Sequence, residues 1–287
     1  MIKSITNYLP ALRVHTWGGF GSQLFTAYLI LKIKERYPAR RIKVVLHTSG
    51  VTKRLPEIIF DDLGVRTHLV DDHKRNRGPR GVKDSPSSKG FNKSFRLKLL
   101  AMLEWSKLIQ NANTDTSFDS VRTWTLALRG HYTQLTLEKN LVCLLYEFLF
   151  SEFESDLCHR HGLAIHYRMG DLLVLQNKSP ISPSRVEGVV DNLEQSPLLN
   201  TILLTDSSRK DVACFLEESK TLRNFRVENH ESGATLRICT DADIFIGTNA
   251  KISIWAAIFR GFVFNKNSFL PRELSWCKIP SKYLDFY

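Results

Sequence analysis

"GLAIHYRMGDLL", residues 162–173, is the stretch on which the reading of this chain turns. Leu163, Ala164 and Ile165 form an apolar, strand-like run. The run then ends abruptly on His166, Arg168 and Asp171. On a strand, His166 and Arg168 project from the same face. In open parallel sheets ligands lie beyond the carboxyl ends of the strands, so charge gathered there points to a bound anion. Arg168 is suited to clamp a diphosphate with its planar fork, and Asp171 to accept a hydrogen bond from a base or to orient the arginine. A buried Arg–Asp pair that only ties a loop is the plainer alternative.

Upstream, Leu12–Trp17 reads as a short strand, followed by glycine-rich "WGGFGSQ" and a helical run, "QLFTAYLILKIKERYP". Basic residues near its end and Pro38 suit a helix terminus. "RIKVVLHTS" is the next strand, completing a βαβ unit. "RTWTLALRGHYTQL" opens as a strand, and "TLEKNLVCLLYEFLFSEFESD" is an amphipathic helix. After residue 162 the order repeats: strand, helix "SRVEGVVDNLEQS" headed by Ser184 and Glu187 at capping-box spacing, strand "NTILLTD", helix "SRKDVACFLEES", strand "FRVEN". Alternating strands and helices imply parallel sheets with helices on their faces. The expected fold is α/β, with two Rossmann-like halves, residues 1–155 and 156–287.

Composition narrows the function. Hydrophobic residues at 43% and 17 Phe supply a substantial core, which excludes global disorder. The formal charge of +11 calls for an anionic partner: nucleic acid, an anionic membrane face or a phosphorylated ligand. Much of that charge lies in residues 71–98, which hold nine Lys/Arg against three Asp among glycines, prolines and serines. This stretch reads as a solvated surface loop or as a contact for anionic lipid or a phosphorylated acceptor. Five widely spaced cysteines without a CxxC pair indicate buried free thiols rather than a zinc ribbon or disulfide framework. Cys158, His159 and His161 lack a second half for a metal site. No apolar stretch is long enough for a signal peptide or a membrane span, since Glu147 and Arg260 interrupt the two longest. A cytoplasmic chain, at most peripheral to the inner membrane, is expected.

Four polar clusters fall at expected strand ends: the loop after Trp17, His166–Asp171, Thr205-Asp206-Ser207, and Gly247-Thr248-Asn249. Tight turning accounts for the glycines, and helix capping for Asp206 and Thr248, as readily as ligand binding does. Their convergence on sheet edges, beside helix N-termini that suit phosphate, favours binding.

Five stretches then resemble, in order and spacing, the bacterial α-1,2-fucosyltransferases: "GGFGSQLF", "RGHYTQ", "IHYRMGD", "LLTD" and "GTNAKISIWAAIF". In that family the corresponding patterns are GGLGNQMF, GYxQ, HxRRGD, a strand ending in SDD, and SNSSFSWWGA. The resemblance runs from Gly18 to about Phe259. It implies a GT-B-type, inverting glycosyltransferase that moves fucose from GDP-fucose to an acceptor hydroxyl, without an essential metal or other cofactor. By position it implies catalytic roles for Arg168 and Asp171. Donor contacts would come from His166, Arg168, Asp206, Thr248, Asn249 and Ser253, and from Gly19, Gly21 and Ser22. His131, Tyr132 and Gln134 would meet the acceptor oligosaccharide, lipid-diphosphate-linked chains of O-antigen type being one class. The general base is open among His15, His131 and Asp171. Met169 replaces a second arginine, Ser22 an asparagine, and Ile254-Trp255 a tryptophan pair. Those departures leave a related GDP-6-deoxyhexose such as colitose as the alternative donor. A sugar-nucleotide-binding protein without catalysis and a nucleic-acid-binding protein are the rival classes. Against the last, no helix-turn-helix, RNP, KH or zinc-finger pattern is present.

Overall fold

The structure is a computed structural model and describes residues 10–47, 59–60, 63–70, 98–99, 101–151, 161–170, 172, 179–193, 200–217 and 219–287. Most of the basic stretch 71–98, Cys158, Asp171 and the expected boundary at residue 155 lie outside the described residues. The chain divides into two compact units, Met1–Thr136 and Leu137–Tyr287. That division falls before the amphipathic helix rather than after it.

The first unit holds a five-stranded sheet, ordered β3-β2-β1-β5-β4, in which every pair is parallel. Its strands are β1 (Leu12–Trp17), β2 (Ile42–His47), β3 (Arg66–Val70), β4 (Ile109–Asn111) and β5 (Ala127–Arg129). Helix α1, Phe20–Arg36, joins β1 to β2 and carries Lys34 and Arg36 in its last turn, where cations suit the helix dipole. Thr26 of α1 donates to Thr16 of β1 at 2.7 Å, so the alternate residues Leu12, Val14 and Thr16 face the helix and are buried. The other face of β1 therefore carries Arg13, His15 and Trp17. Register sets Arg13 beside Lys43 and Arg66, and Trp17 beside His47. A short helix α2, Asp115–Asp119, opens with a capping box built by Thr114 and Ser117.

The second unit holds a six-stranded, all-parallel sheet ordered β11-β10-β9-β6-β7-β8. Its strands are β6 (Leu163–Tyr167), β7 (Thr201–Thr205), β8 (Arg226–Glu228), β9 (Ile244–Gly247), β10 (Ser268–Leu270) and β11 (Leu284–Phe286). Every residue of β6 is buried, as its unbroken apolar run requires. The helices are α3 (Lys139–Phe150), α4 (Pro183–Asp191), α5 (Arg209–Leu216), α6 (Ser232–Asp241) and α7 (Lys251–Phe264). Tyr146 of α3 meets the Phe259 ring of α7 edge-on at 5.4 Å, which ties the amphipathic helix to this unit.

The Arg260 that interrupts the apolar run of α7 is fully buried and has a structural use. Its guanidinium donates to the carbonyls of Thr240 at 3.2 Å, Asp243 at 2.9 Å and Asn267 at 2.9 Å, and to that of Ala242. It thereby caps the negative C-terminal end of α6, although burial lowers its pKa to about 10.

Several elements differ from the sequence expectation. β3, β4, β10 and β11 are too short, or too polar, to have been read from pattern. The strand expected at "RTWTLALR" shrinks to Ala127–Arg129 because residues 123–124 turn. The capping box expected at Ser184 does not form. Helix α4 begins one residue earlier, with Pro183 at its first position, and Glu187 accepts from the Thr221 amide at 2.7 Å instead. Of the cysteines expected to be buried, Cys239 and Cys277 are, whereas Cys214 is exposed.

Candidate functional site

Three of the sequence clusters meet at the carboxyl ends of β6, β9 and β7, and hydrogen bonds link them. The Thr248 hydroxyl accepts from the Arg168 amide at 2.9 Å and donates to the His166 carbonyl at 3.0 Å. Asp206 accepts from the amides of Met169 and Gly170, both at 2.8 Å and both through one carboxylate oxygen. His166 Nδ1 lies 2.8 Å from Ser253 Oγ on the first turn of α7. Residues 36 to 87 positions apart are thus tied into one strand end.

Two glycines permit the close approach. A Cβ on Gly247 would lie 2.6 Å from Ser253 Cβ and 2.7 Å from Leu270 Cδ2. One on Gly170 would lie 2.9 Å from the Asp206 carboxylate. Both distances are below those that side chains accept, so the loops can meet only where Cβ is absent.

The electrostatics divide the labour. His166 is 4% exposed, and burial pulls its pKa down to about 4, opposed by Asp206 and assisted by Arg168. Its imidazole is therefore neutral near pH 7 and serves as a hydrogen-bonding group, not as a cation for phosphate. Arg168 is half-buried on the same face as His166, as the strand period demands, with Nη1 3.4 Å from the Asn249 carbonyl. Asn249 itself is exposed. Helix α7 starts after Ala250 with no side-chain cap, leaving its first amides to backbone, solvent or ligand.

Met169 is the clearest surprise. It is fully buried in the apolar core with Leu163, Ile165, Tyr167, Ile181 and Val186. The departure from the family's second arginine therefore lies on the opposite side of the strand from His166 and Arg168, not beside them. An arginine there would place a charge among aliphatic groups.

The capping alternatives are partly realised. Ser208, not Asp206, caps α5 by accepting from the Asp211 amide at 3.2 Å. Thr248 caps no helix. Asp171 lies outside the described residues, and so does its relation to Arg168.

In the first unit the glycine-rich loop lies at the end of β1. Gly18 has φ +99°, which favours glycine, and Gly19 is the N-cap of α1 without a side-chain cap. A Cβ on Gly19 would meet nothing within 4 Å. Gly21 and Ser22 are buried in the first turn. Gln23 is fully buried there with neither amide atom hydrogen-bonded.

The "RGHYTQ" stretch follows β5. His131 is exposed, and its amide donates to Asn113 Oδ1 at 2.7 Å. Gln134 is exposed and bridges Thr114. Tyr132 is 1% exposed, and its hydroxyl donates to the His15 carbonyl at 2.5 Å. It thus holds the end of β1, and burial raises its pKa far above the ordinary tyrosine value.

Sequence reasoning passed over His47, Trp17 and Arg129. His15 Nδ1 is 2.9 Å from His47 Nε2, the His47 and Trp17 rings stack at 4.5 Å, and Arg129 lies over Trp17 at 5.8 Å. Only register brings them together; their common position at the last residues of three strands was the available signal. Among the described residues, no group of three His, Cys, Asp or Glu could hold a metal ion. No described helix is long and apolar enough to cross a membrane.

No protein-family model matches the chain, and no curated protein matches it. Among solved structures, a glycosyltransferase family 9 protein from Veillonella parvula covers 97% of this chain and 86% of its own, at 13% identity and TM-score 0.44. The E. coli heptosyltransferase WaaC, solved with ADP, covers 96% of this chain and 92% of its own, at 11% identity and TM-score 0.44. Similarity this distant carries no argument about the chemistry of either strand end.

Proposed function

We propose that this chain is a GT-B-type, inverting glycosyltransferase that moves a 6-deoxyhexose, fucose first, from its GDP-linked donor to a hydroxyl of an acceptor glycan. One observation carries the reading. The five stretches that resemble the fucosyltransferases all fall at carboxyl ends of strands or on the helices that follow. Three of them, at Arg168, Asp206 and Thr248, are hydrogen-bonded to one another. Their convergence at the carboxyl edge of a parallel sheet is where ligands bind in such folds, which supports the reading.

Glycosyl transfer requires neutralising the departing diphosphate and the positive charge that grows on the sugar. Arg168 supplies a cation, and the uncapped start of α7 supplies amide donors. His166, held neutral against Ser253, fixes the strand end without adding charge. Asp206 orders the Met169–Gly170 amides and so acts on the donor through the loop it holds. Asp171 is assigned to the same site by its place in the motif. By the resemblance, Gly19, Gly21 and Ser22 are assigned to the donor and His131 and Gln134 to the acceptor, while the burial of Tyr132 assigns it to positioning.

The donor is expected to raise the unfolding temperature as GDP, and an oligonucleotide of equal charge is not. Transfer or hydrolysis of a GDP-6-deoxyhexose by the wild type, nearly abolished in Arg168→Ala, supports catalysis. GDP binding without turnover across donors and acceptors assigns a binding protein instead. Equal rates in Arg168→Ala and wild type remove Arg168 from the mechanism.

A further inference from the structure

The first unit carries a second charged strand end, beside the loops assigned above to donor and acceptor, whose rings and cations that reading leaves without a role. None of its five strands contains an acidic residue. On the face turned away from α1, register lines up Arg13, Lys43 and Arg66 across three strands. Toward the carboxyl end of that face come His15, then Trp17 and His47 as register partners, with Arg129 ending β5.

Here the rings and cations converge. His15 and His47 share a hydrogen bond of 2.9 Å between ring nitrogens. All three ring pairs among His15, Trp17 and His47 are stacked, the Trp17–His47 pair within 8° of parallel. Arg129 is exposed and lies over Trp17. Arg129 and Arg13 thus set up a positive potential at a half-buried spot lined by the His15 and His47 rings, and an anion is favoured there.

We infer that this strand end binds the phosphate group of a phosphorylated ligand, through the His15–His47 pair and Arg129. Among the described residues, burial first, then the charges of His47, Arg129 and Arg13, lower the His15 pKa to about 4, so the unbound ring is neutral near pH 7. The Tyr132 hydroxyl, which donates to the His15 carbonyl, adds no charge. A bound dianion favours the protonated ring, so binding takes up a proton on His15. A compact tetrahedral anion fits better than a nucleic-acid strand. One face of Trp17 is already covered by His47, whereas single-stranded sites offer open aromatic faces for bases. The site does not depend on the donor reading and would suit an acceptor that carries phosphate.

Histidine ring NMR on the full chain, titrated with inorganic sulfate, tests this. Sulfate keeps its charge between about pH 5 and 8, where imidazole titrates. The His15 and His47 resonances, assigned through His15→Gln and His47→Gln, should move saturably. Binding should be roughly fourfold tighter at about pH 5.5 than at about pH 7.5, the ratio for a bound ring that titrates near about 6. Arg129→Gln should weaken it by about tenfold, Arg129→Lys should restore part of that, and Arg168→Ala should leave it intact. Glucose 1-phosphate and phosphatidylglycerol vesicles then separate the sources: competition by the former assigns a glycan phosphate, by the latter a lipid headgroup.

Unmoved resonances overturn the site, as does sulfate binding unchanged in Arg129→Gln with the protein folded. Loss of binding in Arg168→Ala places the anion on the other strand end. Displacement by a short oligonucleotide with steep salt dependence replaces the phosphate ester with nucleic acid. GDP binding that fails while sulfate still moves His15 refutes the donor reading and leaves this one standing.

Discussion

The carboxyl ends of the two sheets are built by different means. At β6, β7 and β9, loops are held by side chains that bond to backbone: Thr248 to His166 and Arg168, Asp206 to Met169 and Gly170. At β1, β2 and β5, rings and cations touch each other, while Asn113 holds the His131 and Tyr132 amides and Tyr132 holds the His15 carbonyl beside them. The first construction fixes geometry, and disturbing it costs stability. The second concentrates charge at a half-exposed surface, and disturbing it costs binding. Precision is needed where a bond is broken; attraction is enough where a partner is only held.

Four substitutions or conditions put that contrast at risk, beginning with the largest effect. Arg168→Ala should slow transfer by about 3–4 kcal/mol in the barrier, with thermal stability nearly unchanged because the side chain is half-buried. Steady-state kinetics beside a melting curve would show it, and a large loss of stability would make Arg168 a structural residue instead.

Acid should loosen the second unit through His166. Its folded pKa of about 4 lies below the ordinary 6.5, so the unfolded chain binds more protons between those values. The stabilisation is complete above about pH 6.5 and is lost as pH falls toward about 4, a change on the order of 3 kcal/mol. Urea titrations at a series of pH values should give a slope that His166→Gln flattens. An unchanged slope would mean that the imidazole charges inside the fold.

Asp206→Ala should cost about 2 kcal/mol, since two amides lose a charged acceptor but water can reach them at this exposed position. Asp206→Asn should recover part of it. If Ala proves neutral, the loop is ordered by something else. Trp17→Ala should change stability least, by less than about 1 kcal/mol, because the ring is only half-buried. A loss as large as that of Asp206→Ala would erase the distinction between the two ends.

Much of this was legible in the residues. The unbroken apolar run before His166 called for a strand, and the alternation of strands and helices for a parallel sheet, in which β6 is buried along its whole length and central. Period two put His166 and Arg168 on one side, where they are found turned toward α7 and its N-terminal loop. The same period should have put Met169 opposite them, yet comparison with the HxRR pattern drew attention away from its side. Elements of three residues such as β10 and β11 gave no periodic signal, because three positions cannot define a period.

What the sequence determined alone was the α/β class, the parallel order and the residue types that end each strand. Those follow from local hydrophobic pattern and from the chemistry of individual side chains. Tertiary structure alone decided that His47 meets His15, that Asp206 serves the Met169–Gly170 loop and not its own helix, and that Arg260 seals α6. Each of those partnerships joins distant segments through register or packing, and no local pattern encodes a register between strands.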